Sequence, residues 1–125
     1  MTQGRRRTGA IAETLVAARL AAADWEIVER NARTRYGELD IVARDGDTLV
    51  FIEVKGARQG TQFGPEQPIL SIDFRKQQRV RRLATAWMAE RRDQPPYDEI
   101  RFDAVGVTLD RHDRPVAVDY VKGAF

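Results

Sequence analysis

Residues 36–58, YGELDIVARDGDTLVFIEVKGAR, are the stretch around which the rest of this chain must be arranged. Two largely apolar runs flank the dipeptide Asp45-Gly46. Asp-Gly between such runs is a strong signal for a β-hairpin, because glycine accepts the positive φ that a tight turn needs. The stretch therefore predicts two antiparallel strands with Asp45 and Gly46 as the loop.

The predicted hairpin separates an apolar face from a face that carries charge, because side chains alternate along a strand. With this loop, Asp40 lies opposite Phe51 and diagonal to Glu53, and the Cα atoms of the two acids are roughly 7–8 Å apart. The first face carries Leu39, Ile41, Ala43, Val50, Ile52 and Val54, and the second carries Glu38, Asp40, Glu53 and Lys55 together with Val42, Leu49 and Phe51. Two carboxylates at that separation can bind one divalent cation.

The charged face has two interpretations. Glu-x-Lys in a strand is common and is typical of a solvated face with an incidental ion pair. The longer pattern that joins Asp40, Glu53 and Lys55 is more specific, because the register places all three groups on one side. From these residues alone, a metal site and a structural salt-bridge cluster both stay open.

Composition limits the classes of protein that the chain can represent. Its 125 residues suit one compact domain, predicted over residues 9–125, with a core of its own. Lys+Arg number 21 and Asp+Glu 19, so the net charge of +2 gives no strongly basic field. With no cysteine, disulfides and thiolate zinc sites are excluded. No apolar run has the length of a membrane span, and no signal-peptide pattern begins the chain, so we expect a cytoplasmic protein without a membrane partner.

The first helix is predicted from about Gly9 to Ala23, where alanine is frequent and proline absent. Residues 1–8 before it are predicted to form a flexible basic arm, whose three arginines suit phosphate contact and solubility equally well. Glu13 lies beside apolar positions of the helix, where an unpaired carboxylate is costly. It is either an edge residue that snorkels to solvent or pairs with Arg19, or an acid that leans over the charged face of the hairpin.

The second helix is predicted from Ser71 to Arg92, with Ser71 or Asp73 as its N-cap. Its buried stripe is Val80, Leu83, Ala84, Trp87 and Met88. Between Phe74 and Arg92, seven bases lie along it against the single acid Glu90: Arg75, Lys76, Arg79, Arg81, Arg82, Arg91 and Arg92. An ordinary solvated helix face mixes acids with bases, so this imbalance favours contact with a polyanion.

The remaining segments complete a mixed five-stranded sheet. Strands are predicted at 25–29, 99–107 and 115–121, with a basic link at 31–35 and a flexible glycine-rich loop at 56–65. His112 lies in the polar turn before the last strand, and no nucleophile set can be assembled around it. The order helix, three strands, helix, two strands predicts an α+β domain in which two main helices pack on the sheet.

These residues resemble the pattern of the YraN family, a group of small bacterial proteins similar to Holliday-junction resolvases and restriction endonucleases. The resemblance covers nearly the whole chain. It is carried by Gly9, Glu13, Asn31, Arg33, Gly37-Glu38-Leu39-Asp40, Phe51-Ile52-Glu53-Val54-Lys55, Lys76, Arg101-Phe102-Asp103 and Ala124-Phe125. The resemblance implies a restriction endonuclease-like core with a PD-(D/E)xK metal site. In the family, an arginine is common two positions after the motif lysine. This chain departs from that pattern, since Ala57 holds that position and Arg58 comes one position later.

The resemblance implies that Asp40, Glu53 and Lys55 hold the three motif roles and that Glu13 is the helix carboxylate of the resolvase-like branch. Together with the residues it suggests hydrolysis of phosphodiester bonds with Mg²⁺ or Mn²⁺, which prefer hard oxygen ligands. The carboxylates and the backbone carbonyl of Val54 would bind the ion. Arg58, Arg75, Lys76 and Arg79 would contact nucleic-acid phosphates.

Two other classes of function stay open at this point. The chain could be a nucleic-acid-binding module with a vestigial metal site inside a larger repair or recombination assembly, or a structural partner protein whose carboxylates form ion pairs. DNA is the expected partner rather than RNA, and branched or repair-related DNA is one candidate substrate. By analogy with resolvases, a homodimer is the candidate assembly.

Overall fold

A mixed five-stranded sheet lies at the centre of the structure, a computed structural model that describes residues 3–60 and 67–125. The strands are β1 (Glu26–Thr34), β2 (Gly37–Asp45), β3 (Thr48–Arg58), β4 (Glu99–Leu109) and β5 (Pro115–Val121), and they lie in this order across the sheet. All neighbours are antiparallel except β3 and β4, which are parallel. The predicted α+β class with a mixed sheet and two main helices is confirmed.

The two helices cover opposite faces of this sheet. Helix α1 (Gln3–Ala22) packs on a core that includes Ile41, Val50 and Ile52, and helix α2 (Phe74–Glu90) packs on Val42, Leu49 and Phe51. Neighbouring residues of β2 and β3 thus belong to different cores, as expected when strand side chains alternate. A short 3₁₀ helix (Pro68–Ser71) precedes α2. In the parts of the chain that the structure describes, no helix combines the length and apolar character needed to cross a membrane.

Helix α1 begins much earlier than predicted. The segment interpreted as a flexible basic arm, residues 1–8, is helical from Gln3 onward, so this prediction is wrong for the described residues. Thr8 adds a hydrogen bond from its hydroxyl to the Gly4 carbonyl, and Arg7 forms an ion pair with Asp113 at 2.9 Å. The alanine-rich helix therefore extends backward through the arginines, where no proline interrupts it.

The hairpin loop is shifted by one residue from the predicted position. Asp45 pairs with Thr48, so the two loop residues are Gly46 and Asp47 rather than Asp45 and Gly46. Gly46 has a φ of +61° and stands first in the loop, where a type II′ turn requires glycine. Val42 now pairs with Phe51, a register change of two residues that leaves every side chain of β3 on its predicted face.

One side chain of β2 does lie on the other face. Leu39 packs in the core under α2 with Ala32, its partner on β1, and not with Ile41 as predicted. Asn31 has a φ of +49°, which turns β1 at this point. Arg30, just before it, therefore reaches Thr14 of α1 at 3.0 Å, whereas Ala32 faces α2.

The bounds of α2, β4 and β5 lie close to the predicted ones, whereas β1 and β3 extend further than predicted. Asp73 is the N-cap of α2 and its carboxylate accepts a hydrogen bond from the Lys76 backbone N–H, while Met88 of the predicted stripe is only partly buried. Strand β1 extends through most of the predicted basic link, and β3 extends to Arg58. Residues 61–65 of the predicted glycine-rich loop lie outside the described residues.

Candidate active site

The candidate site forms where β2 and β3 separate. The ladder between them runs from the Asp45–Thr48 pair to the Ile41–Ile52 pair. At the next position the Asp40 carboxylate accepts a hydrogen bond from the Val54 backbone N–H at 2.8 Å. A side-chain oxygen of Asp40 thus takes the place of a strand carbonyl, and the carboxylate is held beside Glu53.

Helix α1 supplies the third acid through a close contact with β3. A Cβ placed on Gly56 would lie 2.8 Å from the Ala12 Cβ and 3.1 Å from the Thr8 carbonyl oxygen. Only glycine permits this approach without displacing the helix backbone. Glu13, the residue after Ala12, is thereby brought within hydrogen-bonding reach of Asp40. Of the two interpretations of Glu13, the structure bears out the one in which it leans over the hairpin acids. The positive charge that opposes the rise in its pKa is that of Arg30, not of Arg19.

Asp40 and burial together raise the pKa values of the two glutamates on either side of it. Burial raises the pKa of Glu13 to about 8, and the hydrogen bond and negative charge of Asp40 add to the effect. Burial also raises the pKa of Glu53 to about 8, with the charge of Asp40 adding to it and Lys76 and Arg79 opposing it. Like charges in a partly buried site disfavour ionisation. Near neutral pH, Glu13 and Glu53 therefore retain protons that they share with Asp40 by hydrogen bonding.

A group of bases lies against these acids. The Lys76 ammonium is 3.7 Å from the Glu53 carboxylate, whose side chain is only 14% exposed. Burial lowers the pKa of Lys55, and the positive charges of Lys76 and Arg5 lower it further. The site thus joins three acids and three bases from α1, β2, β3 and α2.

The acids are not arranged as a finished ligand set. Within residues 3–60 and 67–125, no three histidine, aspartate or glutamate side chains are spaced to hold one metal ion. The oxygen atoms are instead engaged with one another, with the Val54 N–H and with Lys76. Any cation that binds here must displace the shared protons and part the acids from each other.

The predicted phosphate contacts divide into two groups. On α2, Arg75 and Arg79 are exposed, and the positive charges of Arg79 and Lys76 oppose the rise in the pKa of Glu53. Arg58 lies elsewhere: its guanidinium forms an ion pair with Asp113 and donates to the Asp110 and Arg111 carbonyls in the β4–β5 turn. The structure therefore brings the α2 bases to the site and attaches Arg58 to that turn. His112 is exposed in the same turn, as predicted.

Comparison with known sequences places the chain among its relatives. The profile described as uncharacterised protein family UPF0102 matches residues 12–107. The chain belongs to this family. A UPF0102 protein of Nocardia farcinica is 48% identical over 117 residues, which cover 94% of this chain and 87% of the relative. A UPF0102 protein of Moorella thermoacetica is 46% identical over 125 residues and the full length of both chains. One from Streptomyces griseus is 46% identical over 115 residues, 92% of each chain.

Two features of this UPF0102 protein were missed in the sequence. The positive charge of Arg5 lowers the pKa of Lys55, although Arg5 belongs to the segment predicted as a flexible arm. Lys76 was predicted as a phosphate contact, but it also pairs with Glu53. The N-cap at Asp73 was a usable signal for the second feature, since it fixes Lys76 in the first turn of α2. The first was missed because residues 1–8 were interpreted as a flexible arm and not as part of α1.

Proposed function

We propose that this protein hydrolyses phosphodiester bonds in nucleic acid with a divalent cation, Mg²⁺ or Mn²⁺. The observation that carries the proposal is the convergence of Glu13, Asp40 and Glu53, from three different elements, beside Lys55. Salt bridges that only stabilise a fold pair acids with bases. Here burial and mutual repulsion hold two acids in an unfavourable state, as is common at functional sites.

The donor set fits a hard cation. All of the side-chain oxygens belong to carboxyl groups, and neither histidine nor cysteine is present among them, which favours Mg²⁺ or Mn²⁺. Asp40, Glu53 and Glu13 would hold the ion, and the backbone carbonyl of Val54 would complete the set. When bound, such an ion polarises a phosphoryl oxygen and lowers the pKa of a bound water.

The bases of the site have a separate task. Hydrolysis forms a bond between phosphorus and a water oxygen and breaks the bond to the leaving oxygen of the sugar. Lys55 would donate hydrogen bonds to the attacking water or to the phosphate, whose negative charge grows during the reaction. Lys76, released from Glu53, would add a second positive charge to the same place. Arg75 and Arg79 would bind neighbouring phosphates without reading sequence.

DNA is the proposed substrate, and repair-related or branched DNA is one candidate. The alternative is a nucleic-acid-binding module that works in a larger assembly. It is favoured by the hydrogen-bonded arrangement of the acids, which in the described residues lacks ligand spacing. The two proposals differ in a single measurable property, cleavage that depends on a divalent cation.

The test is cleavage of labelled linear, branched and single-stranded substrates with and without Mn²⁺. Wild-type protein should cleave at least one of them, whereas Glu53→Gln and Lys55→Met should fold, bind nucleic acid and lose about 10²–10³-fold in rate. Mn²⁺ calorimetry should show weaker binding by Glu53→Gln and unchanged or slightly tighter binding by Lys55→Met, because the latter removes a nearby positive charge.

Matched controls are available elsewhere in the chain. Glu26→Gln alters a glutamate that pairs with Arg44, and Lys122→Met alters a lysine whose side chain is 60% exposed. Both should cleave like wild type. Wild-type protein that binds nucleic acid but neither binds Mn²⁺ nor cleaves any substrate would favour the binding module instead.

A further inference from the structure

The turn between β1 and β2 presents an aromatic ring to solvent. Tyr36 is 58% exposed, and it lies in the two-residue connection between Thr34 and Gly37. Exposed single apolar residues are common and need no explanation by themselves. The surroundings of this one are unusual, because the backbone on both sides of it is held in place while the ring is exposed to solvent.

Several contacts hold this turn. The Tyr36 backbone N–H donates to the Thr34 hydroxyl at 3.1 Å, and that hydroxyl donates to the Gly37 carbonyl at 2.8 Å. The Arg35 backbone N–H donates to the Glu90 carboxylate at 3.4 Å, and the Arg35 guanidinium is 3.9 Å from it. The turn is therefore attached to the C-terminal end of α2.

Gly37 brings the same turn against the middle of α2. Its φ is +144°, and a Cβ at this position would lie 3.1 Å from an Arg79 guanidinium nitrogen and 3.2 Å from Leu83. A side chain here would be strained and would displace Arg79. The positive charge of Arg79 also opposes the rise in the pKa of Glu53. The turn that carries Tyr36 therefore adjoins the α2 bases of the candidate active site.

Arginines flank the turn that carries the ring. The Arg35 guanidinium lies 5.7 Å from the centre of the Tyr36 ring, Arg79 borders the turn at Gly37, and Arg33 is 89% exposed. Arg33 and Arg35 also form long ion pairs with glutamates, at 4.0 and 3.9 Å, which a phosphate would replace. An exposed aromatic ring beside guanidinium groups matches the alternation of bases and phosphates along a nucleic-acid strand. This combination favours a nucleic-acid strand over a protein partner with an apolar surface.

We infer that Tyr36 is a stacking platform for an unpaired nucleobase, so that the preferred substrate of the site has a single-stranded segment. The inference rests on the proposed function and specifies its substrate class. Bases inside a duplex stack on each other and present no free face to a side chain, whereas an unpaired base at a branch, flap or end can stack on the ring. Arg33, Arg35 and Arg79 then bind the phosphates on either side of that base.

The test is equilibrium binding in EDTA, which does not require cleavage. Tyr36→Ala should bind a single-stranded DNA oligonucleotide about 5–150-fold more weakly than wild type, the equivalent of removing one base–aromatic stack. Its affinity for the blunt duplex of the same sequence should change by less than about 2-fold, well below the effect of one stack. Tyr36→Phe should bind like wild type, and Tyr36→Leu should resemble Tyr36→Ala, because leucine keeps apolar area but lacks a π face.

A control lies at the opposite edge of the sheet. Val116 on β5 is 49% exposed, and Val116→Ala should alter neither affinity. Equal weakening on single strand and duplex, no weakening at all, or full binding by Tyr36→Leu would overturn the inference. A wild-type protein that shows the Tyr36-dependent preference but cleaves nothing would overturn the nuclease proposal alone. Cleavage without that preference would overturn only the role of Tyr36.

Discussion

Two aspartates on neighbouring parts of the sheet have opposite surroundings. Asp103 on β4 is fully buried, and its carboxylate accepts hydrogen bonds from the Arg101 guanidinium, the Tyr120 hydroxyl and the Gly123 backbone N–H. Asp40 on β2 receives one backbone N–H and otherwise faces two further acids.

The difference separates an acid that stabilises the fold from one that does not. Around Asp103 every partner favours the charged carboxylate, and the pKa of Arg101 is raised by its hydrogen bond to that group. Around Asp40 the neighbours are acids whose pKa values are raised. A buried acid with matched donors is typical of structure, whereas partly buried acids that raise one another's pKa values are common at functional sites.

The largest expected effect comes from breaking the Asp103 network. Asp103→Asn removes a buried charge and leaves the Arg101 guanidinium without its main partner, which should lower the free energy of unfolding by about 3–5 kcal/mol. Urea denaturation followed by circular dichroism measures this. The control is Asp45→Asn, which alters a partly exposed partner of the same arginine and should cost less than about 1 kcal/mol. Equal costs for the two variants would contradict the comparison.

A smaller effect should appear in the pH dependence of stability. The pKa values of Glu13 and Glu53 are about 8 in the folded protein against an ordinary 4.5, so between these values the unfolded chain binds fewer protons. Without divalent cations, the free energy of unfolding should therefore fall as pH rises from about 4.5 to about 8. Saturating Mn²⁺ should remove most of the fall.

Substitutions distinguish this effect from general titration of the protein. Glu13→Gln should flatten the decline. Glu29→Gln should leave it unchanged, because the hydrogen bond from Arg91 lowers the pKa of Glu29 and its stabilisation is lost only in more acidic solution. If stability rises toward pH 8 in wild-type protein, the acids around Asp40 do not repel one another as described.

The smallest effect concerns the bases on α2. Arg75→Ala with Arg79→Ala should weaken binding to all nucleic acids about equally and should lower the salt dependence by a slope of roughly 0.9 for each duplex phosphate that the protein no longer neutralises. Arg92→Ala, just beyond the far end of the helix, is the control and should leave the slope unchanged. An identical slope in the double variant would mean that this face of α2 is only solvated.

Most of the site was predictable because side chains alternate between the two faces of a strand. The hairpin register was two residues off, and an even shift preserves the face on which Glu53 and Lys55 lie. Asp40 and Glu53 were placed together for the same reason. The contact with Glu13 was one of two open interpretations, because it depends on how α1 approaches Gly56, and sequence spacing does not determine the position of a helix over a sheet.

The missed features arise from tertiary contacts and backbone conformation. Leu39 was assigned to the wrong face because the turn at Asn31 depends on a positive φ that asparagine tolerates but does not require. Arg58 was expected near phosphates, yet its partner Asp113 lies far away in sequence. The Asp103 network was missed for the same reason, since Tyr120 and Gly123 come from the last strand and the turn after it.

The sheet topology has a consequence for the order in which the molecule assembles. Helix α1 and strands β1 to β3 follow one another along the chain and contain all three acids, whereas the parallel pairing of β3 with β4 must wait for a long crossover that includes α2. Contacts between near segments form sooner, because closing a shorter loop costs less entropy. The folding chain therefore brings its three acids together before Lys76 arrives to offset them. Removing these acids from water is therefore a cost during folding as well as in the finished structure.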